Sequence, residues 1–115
     1  MDEVSLSADT RVLHIQRSIL TQTTWTPQSF GLSLISADDL KVDDPKESAA
    51  AIQAILGGER GPRRDIVLAN TSAAIWVSGM THSLIDGVAR AERAIDSGKA
   101  AAILKSLASL SHSSV

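Results

Sequence analysis

The chain has no cysteine among its 115 residues. Disulfides and thiolate metal sites are thereby excluded, and a reducing compartment is permitted. Aromatic residues are almost as scarce: Trp25, Phe30 and Trp76 make up 3% of the sequence. That is little for a core that must stand alone, because rings supply much of a small core's buried area. The shortage points to a chain that belongs to something larger. Charge of one sign is missing too. A net charge of −2 gives no reason to expect nucleic acid as a partner. No apolar run approaches the roughly 18–20 residues of a bilayer crossing, so no membrane partner is expected. Met1-Asp2-Glu3-Val4-Ser5 has neither the basic start nor the apolar stretch of a secretion signal, which makes the cytoplasm the expected location.

Several chemistries are also without their signatures. Neither a phosphate-binding nor a dinucleotide-binding glycine loop is present. No serine stands in a Gly-x-Ser-x-Gly elbow, so no nucleophile is nominated. His14, His82 and His112 are far apart in sequence and lack the i, i+4 spacing of helical metal ligands; they read as surface or loop residues.

At this length the chain supports one modest core. Its organising stretch runs from Gly61 to Gly79. Pro62 suits a first helical position, Asp65 suits the positive end of the helix dipole, and Gly79 suits a left-handed cap. Between them the residues are apolar or small on nearly every side, which predicts a central buried helix. Asn70 and Ser72 within it are expected to bond to neighbouring backbone.

The rest reads as cover. Thr10–Gln16 and Ile19–Trp25 carry strand composition, and Arg17-Ser18 between them is short enough for a hairpin without the Asn-Gly or Asp-Gly signal. Thr26 to Gly31 predicts a single helical turn, with Phe30 as its apolar plug. Ser36 to Asp44 is a polar, solvated connection with aspartates at 38, 39, 43 and 44. Asp44-Pro45-Lys46-Glu47 opens a helix with a cap and a capping-box glutamate, and Ile52, Ile55 and Leu56 share one face. Ser83 caps the next helix, in which Leu84, Val88, Ala91 and Ile95 face inward while Arg90, Glu92, Arg93 and Asp96 face water. After Ser97-Gly98 a last helix puts Ile103, Leu104, Leu107 and Leu110 on one face. The expected fold class is an α+β fragment, mostly helical: a strand pair at about 10–25, then four helices at about 45–57, 62–78, 83–96 and 98–110.

Two clusters could hold a ligand. Asp2-Glu3 offers the oxygen donors that a hard cation takes, although spacing alone favours a solvated charge pair. Gly61-Pro62-Arg63-Arg64 at a helix start could hold an anion; the plainer reading is a cap whose arginines pair with nearby acids or lie on the surface.

The sequence resembles anthranilate phosphoribosyltransferase. The resemblance is carried by Met1-Asp2-Glu3-Val4-Ser5, Thr26-Pro27-Gln28-Ser29-Phe30-Gly31-Leu32, Asp38-Leu40-Lys41, Glu47 to Leu56, Gly61-Pro62-Arg63-Arg64-Asp65-Ile66-Val67-Leu68-Ala69-Asn70 and Ala94-Ile95-Asp96-Ser97-Gly98-Lys99-Ala100. It implies transfer of a phosphoribosyl group from phosphoribosyl pyrophosphate to anthranilate in tryptophan biosynthesis. The implied assembly is a Mg²⁺-dependent homodimer, each subunit with a small helical domain and a larger α/β domain. Asp2 and Glu3 match the family's acidic pair, which holds magnesium beside the pyrophosphate. The family's glycine-rich phosphate loop, basic loop and anthranilate-binding arginine all precede that pair. The chain is therefore expected to be a C-terminal portion of the α/β domain, inactive alone, with Met1 either an internal position read as a start or the start of a truncated product. Two alternatives stand beside this reading: a non-catalytic helical interaction module, and a fragment of the related pyrimidine nucleoside phosphorylases, against which the Gly-Pro-Arg-Arg-Asp segment speaks.

Overall fold

The computed structural model describes residues 3–113. Strands β1 (Thr10–Gln16) and β2 (Ile19–Trp25) form an antiparallel hairpin, with Thr10 opposite Trp25 and Gln16 opposite Ile19. Single turns of 3₁₀ helix follow at Pro27–Phe30 and Ala37–Leu40, and then helices α1 (Pro45–Leu56), α2 (Pro62–Val77), α3 (Leu84–Asp96) and α4 (Lys99–His112). A strand pair followed by four helices is the architecture that composition and periodicity lead one to expect.

The hairpin closes without glycine. Arg17 and Ser18 both take positive φ, 48° and 66°, the pairing of a type I′ turn, whose twist matches that of the flanking strands. Along β1 the half-buried residues are Thr10, Val12 and His14, while Leu13 and Ile15 point outward. The strand therefore turns a histidine, and not its longer aliphatic residues, toward the helices. His14 packs on Trp76, ring centroids 4.7 Å apart. Trp76 meets Trp25 edge-on at 5.4 Å, and Trp25 meets Phe30 edge-on at 5.7 Å. All three aromatic residues of the chain thus join one cluster that fastens the hairpin to α2, and Phe30 plugs it from below, 1% exposed.

Helix α2 is central without being buried on every side. Arg64, Leu68, Ala69 and Ser72 form its buried stripe, whereas Val67 and Val77 are exposed. The stripe lies on α3, whose Val88, Ala91 and Ile95 complete the core with Val4, Leu6 and Ile55. At the crossing the two backbones come very close. The Ser72 hydroxyl donates to the Leu84 carbonyl at 2.6 Å, and a Cβ on Gly87 would overlap Ser72 Oγ. Helix α2 ends in a Schellman cap at Gly79 (φ 80°): the Gly79 N–H donates to the Trp76 carbonyl and the Met80 N–H to that of Ile75.

Helix α1 is capped by Asp44, whose carboxylate accepts from the Glu47 N–H at 2.7 Å. The Glu47 carboxylate reaches back to the Asp43 N–H at 2.8 Å, one residue beyond the cap that a capping box would use. Of the three aliphatic residues on this helix only Ile55 is fully buried, and Ile52 is half exposed. Helix α4 lies along α1, with Leu104 and Ala108 beside Leu56 and Gly57. Ile103, Leu107 and Leu110 face solvent, so the apolar stripe there is real but uncovered. The outline is correspondingly elongated, with extents of 46 × 34 × 25 Å and a radius of gyration of 15.6 Å, against about 13 Å for a compact domain of this length.

Gly87→Ala is expected to lower stability by about 1–3 kcal/mol through overpacking against Ser72, read by urea unfolding. A Gly87→Ala chain as stable as the parent contradicts the close helix crossing.

Candidate functional site

The segment 3–10 that carries Glu3 is held by the core and by hydrogen bonds. Leu6 is fully buried and Val4 nearly so, which anchors the segment at alternate positions. The Leu6 carbonyl accepts from the Ile35 N–H at 3.0 Å. Asn70, in the middle of α2, takes Val4 from both sides: the Val4 N–H donates to Asn70 Oδ1 and Asn70 Nδ2 donates to the Val4 carbonyl, each at 3.0 Å. The same Nδ2 donates to the Ile66 carbonyl at 3.0 Å, which fixes the rotamer. Beyond Val4, the Ser5 N–H donates to Thr10 Oγ1 at 3.0 Å and the Ser7 N–H to Ser5 Oγ at 3.1 Å.

Glu3 itself is exposed. It borders an open cleft of about 400 Å³ with Ser5, Ser7, Asp9, Thr10 and Arg11. Carboxylates and hydroxyls are hard oxygen donors, the chemistry that magnesium accepts, and magnesium commonly uses only one or two protein carboxylates with water and phosphate filling the rest. The Glu3 and Asp9 carboxylates and the Ser5 and Ser7 hydroxyls that border the cleft are donors of that kind. Asp2, the other member of the expected pair, lies outside the described residues. Among the described residues no group of three or more potential metal-ligating side chains converges.

The arginines at the start of α2 are committed to the protein. Arg63 donates through Nε to the Asp39 carbonyl at 3.2 Å and through Nη2 to the Lys41 carbonyl at 2.8 Å, and it pairs with Glu47 at 3.4 Å. Arg64, 2% exposed, forms a forked pair with Asp96 at 2.8 and 3.1 Å. Its Nε finds no partner among the described residues. The two guanidinium groups bind the 39–47 connection and the end of α3 to the start of α2, so the ion-pairing reading of this motif is the one realised. Electrostatics follow. The hydrogen bond from Arg64 holds the Asp96 carboxyl below the usual aspartate range. Glu47 is lowered by the Asp43 N–H and then by Arg63. Burial pushes Asp65 up.

His14 belongs to the aromatic cluster, while His82 and His112 are exposed. Ser72 bonds to the backbone of the next helix, and Asn70 to Val4, 66 residues away. The sequence reading missed the reach of Asn70 and the Arg64–Asp96 fork. A carboxamide in the middle of an otherwise apolar helix was the available signal for the first. For the second there was only an arginine at a position that turns inward.

The family model for the glycosyl transferase family, a/b domain, matches residues 1–101. The chain belongs to this glycosyl transferase family. Among similar curated proteins is the anthranilate phosphoribosyltransferase of Methylobacillus flagellatus, 42% identical over 111 residues that cover 96% of this chain and 33% of the relative. That of Methanococcoides burtonii is 41% identical over 107 residues, 93% of this chain and 30% of the relative. The chain thus spans about a third of the length of the curated relatives it matches. Solved structures agree. Anthranilate phosphoribosyltransferase from Saccharomyces cerevisiae in complex with 4-fluoroanthranilate superposes with a TM-score of 0.80 at 30% identity, over 91% of this chain and 31% of that one. A serine-to-alanine variant of the same enzyme with Mg bound gives 0.82 at 30% identity, with the same coverage. The hairpin and helical layer therefore match part of an α/β phosphoribosyltransferase domain.

Arg64 and Asp96 make stability acid-sensitive. Because pairing lowers the folded-state pKa of Asp96, the contribution is present above the ordinary aspartate value and is lost as pH falls through the lower folded value. Asp96→Asn is expected to be less stable than the parent at pH 7, with the difference closing below about pH 4. Urea unfolding followed by tryptophan fluorescence reads this, and a difference that stays constant from pH 7 to pH 2 contradicts it.

Proposed function

We propose that residues 1–115 are the C-terminal part of the α/β domain of an anthranilate phosphoribosyltransferase. The reaction is transfer of phosphoribosyl from phosphoribosyl pyrophosphate to anthranilate, in a cytoplasmic homodimer that serves tryptophan biosynthesis. The observation that carries this reading is 42% identity across 96% of the chain to a relative of that name. The structural match to an Mg-bound enzyme of the same name supports the metal. In this reading Asp2 and Glu3 hold Mg²⁺, which when bound supplies charge neutralisation at a pyrophosphate leaving group. The chain's own contribution is to present Glu3 in water at the end of a segment locked by Leu6 and Asn70. The 115 residues alone do not turn over, because catalysis needs both substrates held in register and the chain corresponds to a third of its relatives.

The uncovered apolar faces, Leu13, Ile15 and Leu20 on the hairpin and Ile103, Leu107 and Leu110 on α4, favour a second reading, an interaction module without catalysis. One experiment separates the two. The 115 residues replace the matching third of the Methylobacillus flagellatus enzyme, and loss of anthranilate fluorescence is followed with phosphoribosyl pyrophosphate and Mg²⁺. The transferase reading expects turnover by the chimera, a drop of at least about tenfold with Glu3→Gln, and none by the 115-residue chain alone. A well-folded chimera without activity contradicts it.

A further inference from the structure

We infer that Asn70 is a positioning residue for Glu3 of the acidic pair: its carboxamide, bonded on both sides of Val4, sets the direction in which the backbone runs toward Glu3. The inference rests on the reading of that pair as magnesium ligands and adds a residue on another element, 66 positions away.

The Val4 N–H belongs to the peptide that joins Glu3 to Val4, and the Val4 carbonyl belongs to the next peptide. Asn70 Oδ1 holds the first and Asn70 Nδ2 the second, each at 3.0 Å. One side chain thus fixes two consecutive peptide planes, as a neighbouring strand would, in a segment that no strand flanks among the described residues. The peptide plane on the Glu3 side determines where the Glu3 Cα lies, and with it where the carboxylate can reach. Packing alone does not do this. Buried Val4 and Leu6 set the depth of the segment, but an aliphatic side chain leaves the peptide plane free to rotate.

The anchor is itself rigid. Asn70 sits in mid-helix, and its third bond, to the Ile66 carbonyl, removes side-chain freedom before Val4 arrives. The helix makes its own backbone hydrogen bonds without Asn70; the two Val4 contacts are what require a carboxamide, because one needs an acceptor and the other a donor. Groups that orient metal ligands from outside the coordination sphere commonly control affinity by about 10–100-fold.

The test measures Mn²⁺ binding to the 115-residue chain by water-proton relaxation, with circular dichroism to check the fold. Four proteins are compared: the parent, Glu3→Gln, Asn70→Ala and Val77→Ala, the last an exposed position on the same helix. The inference expects Glu3→Gln to abolish binding, Asn70→Ala to weaken it by about tenfold, and Val77→Ala to leave it unchanged. If Glu3→Gln weakens binding and Asn70→Ala does not, the inference is overturned while the acidic pair stands as the metal site. If Mn²⁺ binding is absent or indifferent to Glu3→Gln, the metal reading falls and the inference with it. Should Asn70→Ala lose the native spectrum, Asn70→Ser carries the same comparison. Its hydroxyl can bond back to the Ile66 carbonyl but is too short to reach Val4, and native affinity in that variant overturns the inference.

Discussion

Everything else in the molecule is arranged by the contact of α2 with α3. Two helices usually sit 8–10 Å apart; here the absence of a side chain at Gly87 lets Ser72 approach until its hydroxyl bonds the Leu84 carbonyl. That contact fixes α2, and α2 then serves as the mounting for each remaining piece. Trp76 receives His14 and Trp25 from the hairpin. Asn70 receives Val4. Arg63 receives the carbonyls of the 39–41 turn, and Arg64 the end of α3. Three residue types make the four fastenings, each suited to what its partner offers: a tryptophan for rings, a carboxamide for a peptide, and guanidinium groups for a carbonyl pair and a carboxylate.

The buried arginine shows what this mounting costs. A guanidinium at 2% exposure needs a partner to offset lost hydration, and Asp96 supplies one while remaining half in water. The pair therefore works less as a source of stability than as a register pin between the start of α2 and the end of α3.

Much of this order was legible in the chain itself. Caps and breakers (Asp44-Pro45, Gly61-Pro62, Ser83, Gly98) mark the helix ends by local chemistry that needs no tertiary context. The hairpin was legible from its β-branched strands, although its turn was not, since Arg17 and Ser18 reach positive φ without the residues that favour it. What periodicity cannot report is whether an apolar face is covered. The Ile103–Leu110 stripe and Leu13 with Ile15 have the pattern of core and lie in solvent, as faces of a piece within a larger fold would. For the same reason α2, apolar nearly all round, is buried only along one stripe. Long-range polar choices were hidden as well. Nothing local to Asn70 shows that it will bond the peptides of Val4, 66 positions away and next to Glu3.

The account's central claim is that α2, pinned on α3, is the most stable element and that the outer pieces depend on it. Native-state hydrogen exchange measured residue by residue tests this directly, because amides report the free energy of the opening that exposes them. The amides of residues 65–76 and 87–95 should exchange slowest and at a common rate, with the hairpin faster and residues 103–112 fastest. Amides in 103–112 as slow as those of α2, or a hairpin that outlasts α2, would contradict it.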